Sequence, residues 1–422
     1  MSTTSKPFTY PALQVLMQYM HPESRFVLSK RCPEIRTADR SVPLALSHLK
    51  FGNGVTRVND ITYHLQIIQR AKPGQAIPEH NPIRDFPIQW DIDEYGFNDP
   101  SSINAKTPGH LNLRTLNQSL PERDFKDIVE EKDLESLVKK MGYNVDQQNR
   151  AKLDAYRRRK QGVPSPYQFY IMLTIISGDW MYVECVEYNK RFHEAVKYLN
   201  SQLFEGRKKV VVETLALEDP KYFLQLPINF SCEVKHLKCD SIDLALLHET
   251  VRFSSPYDLT VMYNWEYDFV HRTPGYTNAR QLTFIVDNEL VDYEDLNTLN
   301  VYQEVQLMPM HEESICIDFI RDWLDKGRPN GTKFSFGMHN VQAANRCMRK
   351  IQSEFGASLL RDRTQLRPHR ILFFQVTNGQ QQLKIFKRRV MRGLNDYFDC
   401  AWCLRVEVEA NPVHRPLRYA PY

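Results

Sequence analysis

The stretch 212–307 decides the fold, because five hexapeptides within it share one pattern. In each, an apolar or small residue is followed by two others, then Leu or Val, one further residue and an apolar residue. The starting positions advance in steps of 22, 22, 23 and 23 residues. A leucine-rich repeat has a period of about 20–29 residues and adds one short strand per unit. The hexapeptides are VETLAL (212–217), VKHLKC (234–239), PYDLTV (256–261), ARQLTF (279–284) and YQEVQL (302–307).

This nearly constant period predicts strands stacked side by side, with a helix or an irregular return between neighbours. A solenoid of this kind binds through an extended face and rarely houses a catalytic pocket of its own. The Asn of the leucine-rich consensus occurs at Asn264, and Asp287 stands at the matching place of the next unit. An ordinary α+β domain is the alternative that the same strands allow.

The size and composition of the chain are typical of a folded protein with more than one unit. At 422 residues, the chain exceeds one ordinary domain. Its apolar fraction of 42% and charged fraction of 25% fit a globular protein. The net charge of +4 is smaller than expected for a dedicated nucleic-acid-binding protein.

Targeting signals and cysteine usage indicate an intracellular compartment. The N-terminus lacks the apolar segment of a secretory signal, and no apolar run is long enough to span a bilayer. The eight cysteines are scattered, without the spacing of a small disulfide-rich domain. We therefore expect reduced thiols, no membrane partner, and a location in the cytoplasm or the nucleus.

A small helical segment is predicted between residues 11 and 40. Pro11 suits a first helical position, and the apolar residues after it are spaced as on one helix face. Pro22 can begin a second helix, which Pro33 ends, and a third short helix can follow. So short a segment buries little surface alone, so it should dock on another surface. The residues of the stripe are Leu13, Leu16, Met17 and Met20.

The remaining chain divides into two further ranges by its pattern. After the helical segment (1–43), a strand hairpin around Gly52-Asn53-Gly54 opens a second range, 44–163, with a Pro-rich and charged insertion. The third range, 164–422, carries the repeated strands. Its later part predicts a strand at Phe334 to Phe336, a helix that Gly356 ends and a hairpin at Asn378-Gly379.

Two groups of residues could carry chemistry, but each is better explained by packing. Cys400-x-x-Cys403 precedes an alternating strand, whereas a redox pair needs the start of a helix. Cys232, His236 and Cys239 lack the second ligand pair of a zinc site, and Cys239 fills an apolar position of a repeat strand. With no phosphate loop or nucleophile motif in the sequence, we expect no enzyme activity, no metal and no cofactor.

The basic run Arg157 to Lys160 is the main feature that could contact nucleic acid. It ends the highly charged segment 122–160, which predicts a solvated helix. A solvated charged turn beside that helix is the favoured explanation of the run.

Several short motifs, spread over almost the whole chain, resemble one family. Together they are similar to a large, nematode-expanded family of F-box C or F-box-associated proteins of unknown function. The motifs are PALQVLMQYM (11–20), RCP (31–33), ITY (61–63), YGF (95–97), TPG (107–109) and GTKFSFG (331–337).

The resemblance implies a substrate-recognition adaptor. In F-box proteins, a short helical N-terminal module binds the Skp1-type linker of a cullin ubiquitin ligase, and the C-terminal domain selects the substrate. Carried over to this sequence, the docking surface would consist of Pro11, Leu13, Leu16, Met17, Met20 and Phe26.

The sequence thus predicts an α/β protein with a short helical F-box-like N-terminal segment, followed by irregular leucine-rich-repeat-like strand–helix units. The expected function is protein interaction, with a Skp1-type linker and an unidentified substrate as partners. A scaffold without a link to ubiquitin and a weakly basic nucleic-acid-binding protein are the alternatives.

Overall fold

The computed structural model describes residues 9–74, 91–96, 107–113, 147–217, 223–240, 244–263, 279–286, 304–308, 313–338, 340–356, 358–361, 370–376, 379–389 and 402–411. The chain divides into two compact units. Residues 1–235 and 246–254 form the first unit, and residues 236–245 and 255–422 form the second. The described residues contain seven α-helices and a large mixed sheet, which confirms the mixed α/β class.

The first unit begins with the three helices expected near the N-terminus. Proline stands at the start of the first two, where its fixed φ favours the helix and its missing N–H is not needed. A 3₁₀ turn at Pro33–Ile35 separates the second helix from the third. The helices are α1 (Tyr10–Tyr19), α2 (Pro22–Arg31) and α3 (Arg36–Ser41).

Strands and two longer helices make up the rest of the first unit. The strands are β1 (Leu44–Gly52), β2 (Val55–Val58), β3 (Ile61–Ala71), β4 (His110–Asn112), β5 (Tyr167–Ser177), β6 (Trp180–Glu187), β7 (Val210–Leu217) and β8 (Phe223–Gln225). The helices are α4 (Gln147–Gln161), which falls in the predicted charged segment, and α5 (Phe192–Phe204). The part of that segment at 122–146 lies outside the described residues.

The strands of the first unit pair in the order β7-β1-β2-β3-β5-β6. Strands β1 and β2 form the predicted hairpin, with Gly54 at a φ of 69°. Strands β1 and β7 are parallel, with Leu49 opposite Leu215. The other neighbours in this order are antiparallel. Strands β4 and β8 form a separate two-stranded ladder.

Helix α5 packs on one face of β3 and β5. Its buried apolar residues form one stripe, and Gly206, just beyond its end, has the positive φ of a helix stop. The stripe and the sheet share one buried cluster, formed by Leu65, Ile67, Ile92, Ile171, Phe192 and Val196. This packing leaves β6 beyond the cluster, at the end of the strand order.

The second unit contains most of the predicted repeat strands. Residues of β9 (Cys232–Asp240) and β10 (Val251–Tyr263) are divided between the two units. The other strands are β11 (Gln281–Val286), β12 (Glu304–Met308), β13 (Lys333–Met338), β14 (Ser358–Arg361), β15 (Arg370–Gln375), β16 (Gln381–Arg389) and β17 (Trp402–Ala410). The helices are α6 (Glu313–Lys326) and α7 (Val341–Phe355).

Strands β10, β11, β12 and β13 run parallel, and the fourth residues of the last three hexapeptides lie in one row with Phe334 of β13. Leu259 is opposite Leu282, Leu282 is opposite Val305, and Val305 is opposite Phe334. All four side chains are at most 2% exposed. The sequence period therefore corresponds to a parallel ladder of buried residues.

Beyond β13 the sheet becomes antiparallel, in the order β13-β17-β16-β15-β14. Strand β13, helix α7 with Gly356 after it, and the β15–β16 hairpin agree with the sequence predictions. Asn340 caps α7 by accepting a hydrogen bond from the Ala343 N–H at 2.8 Å. Asn378 of the predicted turn lies outside the described residues.

Candidate protein-interaction surface

Helix α1 is apolar on two opposite sides. Its inner side packs against the rest of the first unit. There Met17 is fully buried, and the Gln14 Nε2 donates a hydrogen bond to the Ser41 Oγ at 2.8 Å. Its outer side exposes Val15, Leu16 and Tyr19, which are 55%, 42% and 86% accessible. Tyr19 neighbours both Val15 and Leu16 on the helix surface, because it lies four and three residues after them. We call Ala12, Val15, Leu16 and Tyr19 the outer face of α1.

The structure separates the six residues predicted for docking. Pro11 and Leu16 are exposed, whereas Leu13 and Met20 are half-buried. Met17 and Phe26 belong to the hydrophobic core. A folded partner can therefore reach the exposed and half-buried residues without any change in the packing of the chain. It cannot reach Met17 or Phe26.

Sequence periodicity alone missed the outer face. The stripe predicted at 13, 16, 17 and 20 follows one helix side, and it mixes the inner residues with Leu16. The available signal was that Val15 and Tyr19 place apolar side chains on the opposite side, since a helix that is apolar all round is expected to be covered on all sides. Val27 on α2 is also exposed, at 50%.

A buried ion cluster fixes the helices to the rest of the first unit. The Asp39 carboxylate, on α3, is fully buried and accepts hydrogen bonds from three side chains. The Arg25 Nε lies 2.6 Å away, and the Ser29 Oγ and the Arg207 Nη2 each lie 2.8 Å away. Arg25 also donates to the Pro43 carbonyl at 2.8 Å. Since Arg207 lies three residues before Val210, the first residue of β7, the cluster ties the helices to the sheet.

The electrostatics of this cluster favour a charged carboxylate. Burial raises the pKa of Asp39, but attraction to Arg207 and hydrogen bonds from Arg207, Arg25 and Ser29 outweigh it, so the pKa lies below its ordinary value. Burial also lowers the pKa of Arg207, although Asp39 opposes this. Arginine nevertheless stays protonated in proteins. Two buried guanidinium groups therefore depend on one carboxylate.

Aromatic packing reinforces the same attachment. The Phe26 ring meets the Phe204 ring edge-on at 6.2 Å, and Phe204 packs in turn against Phe51 and Phe230. The Arg207 guanidinium carbon lies 5.1 Å from the centre of the Phe26 ring. The inner sides of the helices thus belong to the core of the first unit, and the outer face of α1 is held on a rigid base.

A second buried carboxylate, which the sequence did not reveal, lies at the start of α5. Asp91 accepts hydrogen bonds from the Phe192 N–H and from the Tyr188 hydroxyl, the latter at 2.6 Å. The His193 Nδ1 lies 3.0 Å from its other oxygen. A carboxylate at a helix N-terminus satisfies free N–H groups and opposes the dipole. We assign this group to fixing the segment 91–96.

Two of the three suspected zinc ligands are core residues, and His236 is half-buried. Cys232 and Cys239 are buried, and the His236 Nε2 lies 2.8 Å from the Thr260 Oγ1. Burial raises the pKa of the Cys232 thiol to about 12, which disfavours the thiolate that a metal needs. Among the described residues, no group of three or more metal-binding side chains comes together.

The second suspected thiol pair is described only in part. Cys403 is buried in β17, and burial raises the pKa of its thiol. Cys400 lies outside the described residues.

Three residues of the basic run, Arg158, Arg159 and Lys160, lie in the last turn of α4, where positive side chains oppose the helix dipole. The Arg159 guanidinium is 3.4 Å from the Asp93 carboxylate. Among the helices that the structure describes, none is both long and apolar enough to cross a membrane.

Comparison with known families identifies one segment. Residues 191–340 match the family described as Domain of unknown function (DUF3557). The match begins just before α5, contains β7 to β13 and α6, and ends at the cap of α7. Neither the curated proteins nor the solved structures contain a match to this chain. The matched family carries no functional description.

Proposed function

We propose that this chain is a non-enzymatic protein-interaction molecule that acts as a substrate-recognition adaptor of a Skp1-cullin-type ubiquitin ligase. The outer face of α1 would bind the Skp1-type linker. The observation that carries this proposal is the exposure of Val15, Leu16 and Tyr19 on a helix whose other side is core. Contiguous exposed apolar residues of this kind mark interaction sites.

The rigid attachment of α1 supports this role. A docking helix that is held on an ordered base loses less entropy on binding. The Asp39 ion cluster and the Phe26 ring packing supply such a base. Amphipathic helices commonly bind in apolar grooves through residues spaced as on the outer face.

The parallel strands β10 to β13 would belong to leucine-rich-repeat-like units that present a binding surface to the substrate. This part of the proposal rests on the period of 22 to 23 residues and on the buried, in-register positions of the hexapeptides. Repeat proteins of this type bind partners over extended surfaces.

Titration of the full chain with a purified Skp1-type protein tests the docking surface. Tyr19→Ser should weaken binding at least about tenfold, since exposed tyrosines are frequent hot spots. The matched control is Tyr198→Ser, because Tyr198 is an exposed tyrosine on α5, 61% accessible. Leu16→Asp should abolish binding by placing a charge in an apolar contact.

Equal affinities of the Tyr19→Ser and Tyr198→Ser variants for the linker would show that the outer face does not take part in binding. A complete lack of linker binding by the wild-type chain would instead favour a scaffold without a ubiquitin link. Thermal unfolding of each variant shows whether the fold is intact, and both tyrosine variants should match the wild type.

A further inference from the structure

Strand β6 is an exposed, apolar sheet edge. All eight of its residues are exposed, and five large apolar side chains are between 44% and 64% accessible. In the part of the chain that the structure describes, β6 has a neighbour on one side only, the strand β5. Edge strands are normally protected by proline, lysine or bulges, and residues 180–187 of β6 include neither proline nor lysine. The apolar residues are Trp180, Met181, Tyr182, Val183 and Val186.

The hydrogen-bond pattern shows which backbone groups point outward. Just beyond β6, the Tyr188 N–H donates to the Phe169 carbonyl at 3.0 Å. In an antiparallel pair, directly opposed residues alternate between bonded and non-bonded. Counting back along the β5–β6 register, the backbone N–H and C=O groups of Met181, Val183 and Cys185 face away from β5. These groups are placed to receive another strand.

The side chains on β6 include types found at interface hot spots. The Trp180 and Tyr182 rings are stacked, 6.2 Å apart and 9° from parallel, which orders both before any partner arrives. Exposed Trp and Tyr contribute a large share of the binding energy in many interfaces. Because Trp180 and Tyr182 share one face and Met181 and Val183 the other, an added strand would find apolar contacts on both faces.

The acidic charge around β6 favours a basic binding partner over a second copy of the chain. Asp179, Glu184 and Glu187 are acidic and exposed, and residues 177–189 contain no Lys, Arg or His. A second copy of the chain would bring three further carboxylates to the same short ladder, and like charges in close strands are destabilising. A strand in which apolar and basic residues alternate would instead place all its basic side chains on one face, against Glu184. Its apolar side chains would then meet Met181 and Val183 on the other face.

We propose that β6 binds an extended segment of a partner protein, in which apolar and basic residues alternate, by strand addition. In this mode, main-chain hydrogen bonds supply affinity and alternate side chains supply specificity. The proposal does not depend on linker docking, since neither α1 nor a Skp1-type protein takes part in strand addition or in its test.

The test uses the full chain and fluorescent ten-residue peptides measured by fluorescence anisotropy. The probe alternates valine and lysine, and its control alternates valine and glutamate. We expect the lysine peptide to bind at least about tenfold more tightly, and the difference to shrink as salt screens the charges. A lysine peptide N-methylated at every residue should not bind, because methylation removes the N–H donors of both its edges.

Val183→Pro tests the edge itself. The Val183 N–H does not bond to β5, so proline removes only an outward donor, which edge strands tolerate. The matched control, Val183→Thr, keeps the N–H and the branched side chain. The Val183→Pro variant should no longer bind the lysine peptide, and the Val183→Thr variant should bind it as the wild type does.

Equal binding of both peptides, binding that survives Val183→Pro or N-methylation, or a lack of binding would each overturn the proposal. So would concentration-dependent self-association of the wild type that Val183→Pro abolishes, since the occupant would then be a second copy.

Discussion

Removal of the Asp39 charge tests whether the N-terminal helices are fixed to the sheet. In the Asp39→Asn variant, two buried guanidinium groups, of Arg25 and Arg207, lose their shared carboxylate. Both arginine side chains are only 3% exposed, so water cannot replace it. Breaking a buried ion pair by removing one partner costs about 3–5 kcal/mol. We expect the free energy of unfolding to fall by this amount.

Urea unfolding followed by circular dichroism measures the loss, because the free energy falls linearly with denaturant. The matched control is Asp318→Asn, whose carboxylate pairs with Arg321 at the surface, with both side chains about half exposed. That change should cost less than about 1 kcal/mol. If Asp39→Asn and Asp318→Asn have equal effects, the ion cluster does not anchor the helices and the reasoning fails.

Three further predictions concern acid, the two sides of α1 and the thiols. The pKa of Asp39 is lowered in the folded state, so its stabilisation is complete above the unfolded value of about 3.9 and is lost as the pH falls through the folded pKa. The unfolding temperature of the wild type should therefore fall more steeply from neutral to acid pH than that of the Asp39→Asn variant. Parallel plots of unfolding temperature against pH for the two proteins would contradict this. Met17→Asp should lower the unfolding temperature far more than Leu16→Asp, since Met17 is fully buried and Leu16 is 42% exposed; similar temperatures would refute the assignment of the two sides. Iodoacetamide should alkylate the exposed Cys185 long before the buried Cys232, as peptide mass spectrometry would show, and the reverse order would contradict the burial.

Local patterns predicted the elements of the second unit well. The hexapeptides placed Leu259 and Leu282 in parallel strands because a period of 22 to 23 residues leaves room for one strand and one return. Gly356 marked the end of α7 because it takes a φ of 66°, which other residues rarely adopt. In both cases the signal lies within one repeat or one turn.

The anchoring cluster could not be predicted in the same way. Asp39 meets Arg25 from 14 residues away and Arg207 from 168 residues away. No short pattern links such distant charges, and each alone is typical of a surface residue.

The outer face of α1 and the open edge of β6 were also missed, for a related reason. Apolar residues such as Tyr19 and Val183 predict a helix or a strand equally well whether they are covered or exposed. Their exposure depends on which other elements pack beside them, and distant parts of the chain decide that.

Hydrogen exchange of the full chain, with and without a purified Skp1-type protein, tests the docking claim most directly. We predict slower exchange within Tyr10–Tyr19 on addition of the linker protein and unchanged exchange within Phe192–Phe204. A complex that forms while exchange in Tyr10–Tyr19 stays unchanged would contradict the assignment of the outer face as the binding surface.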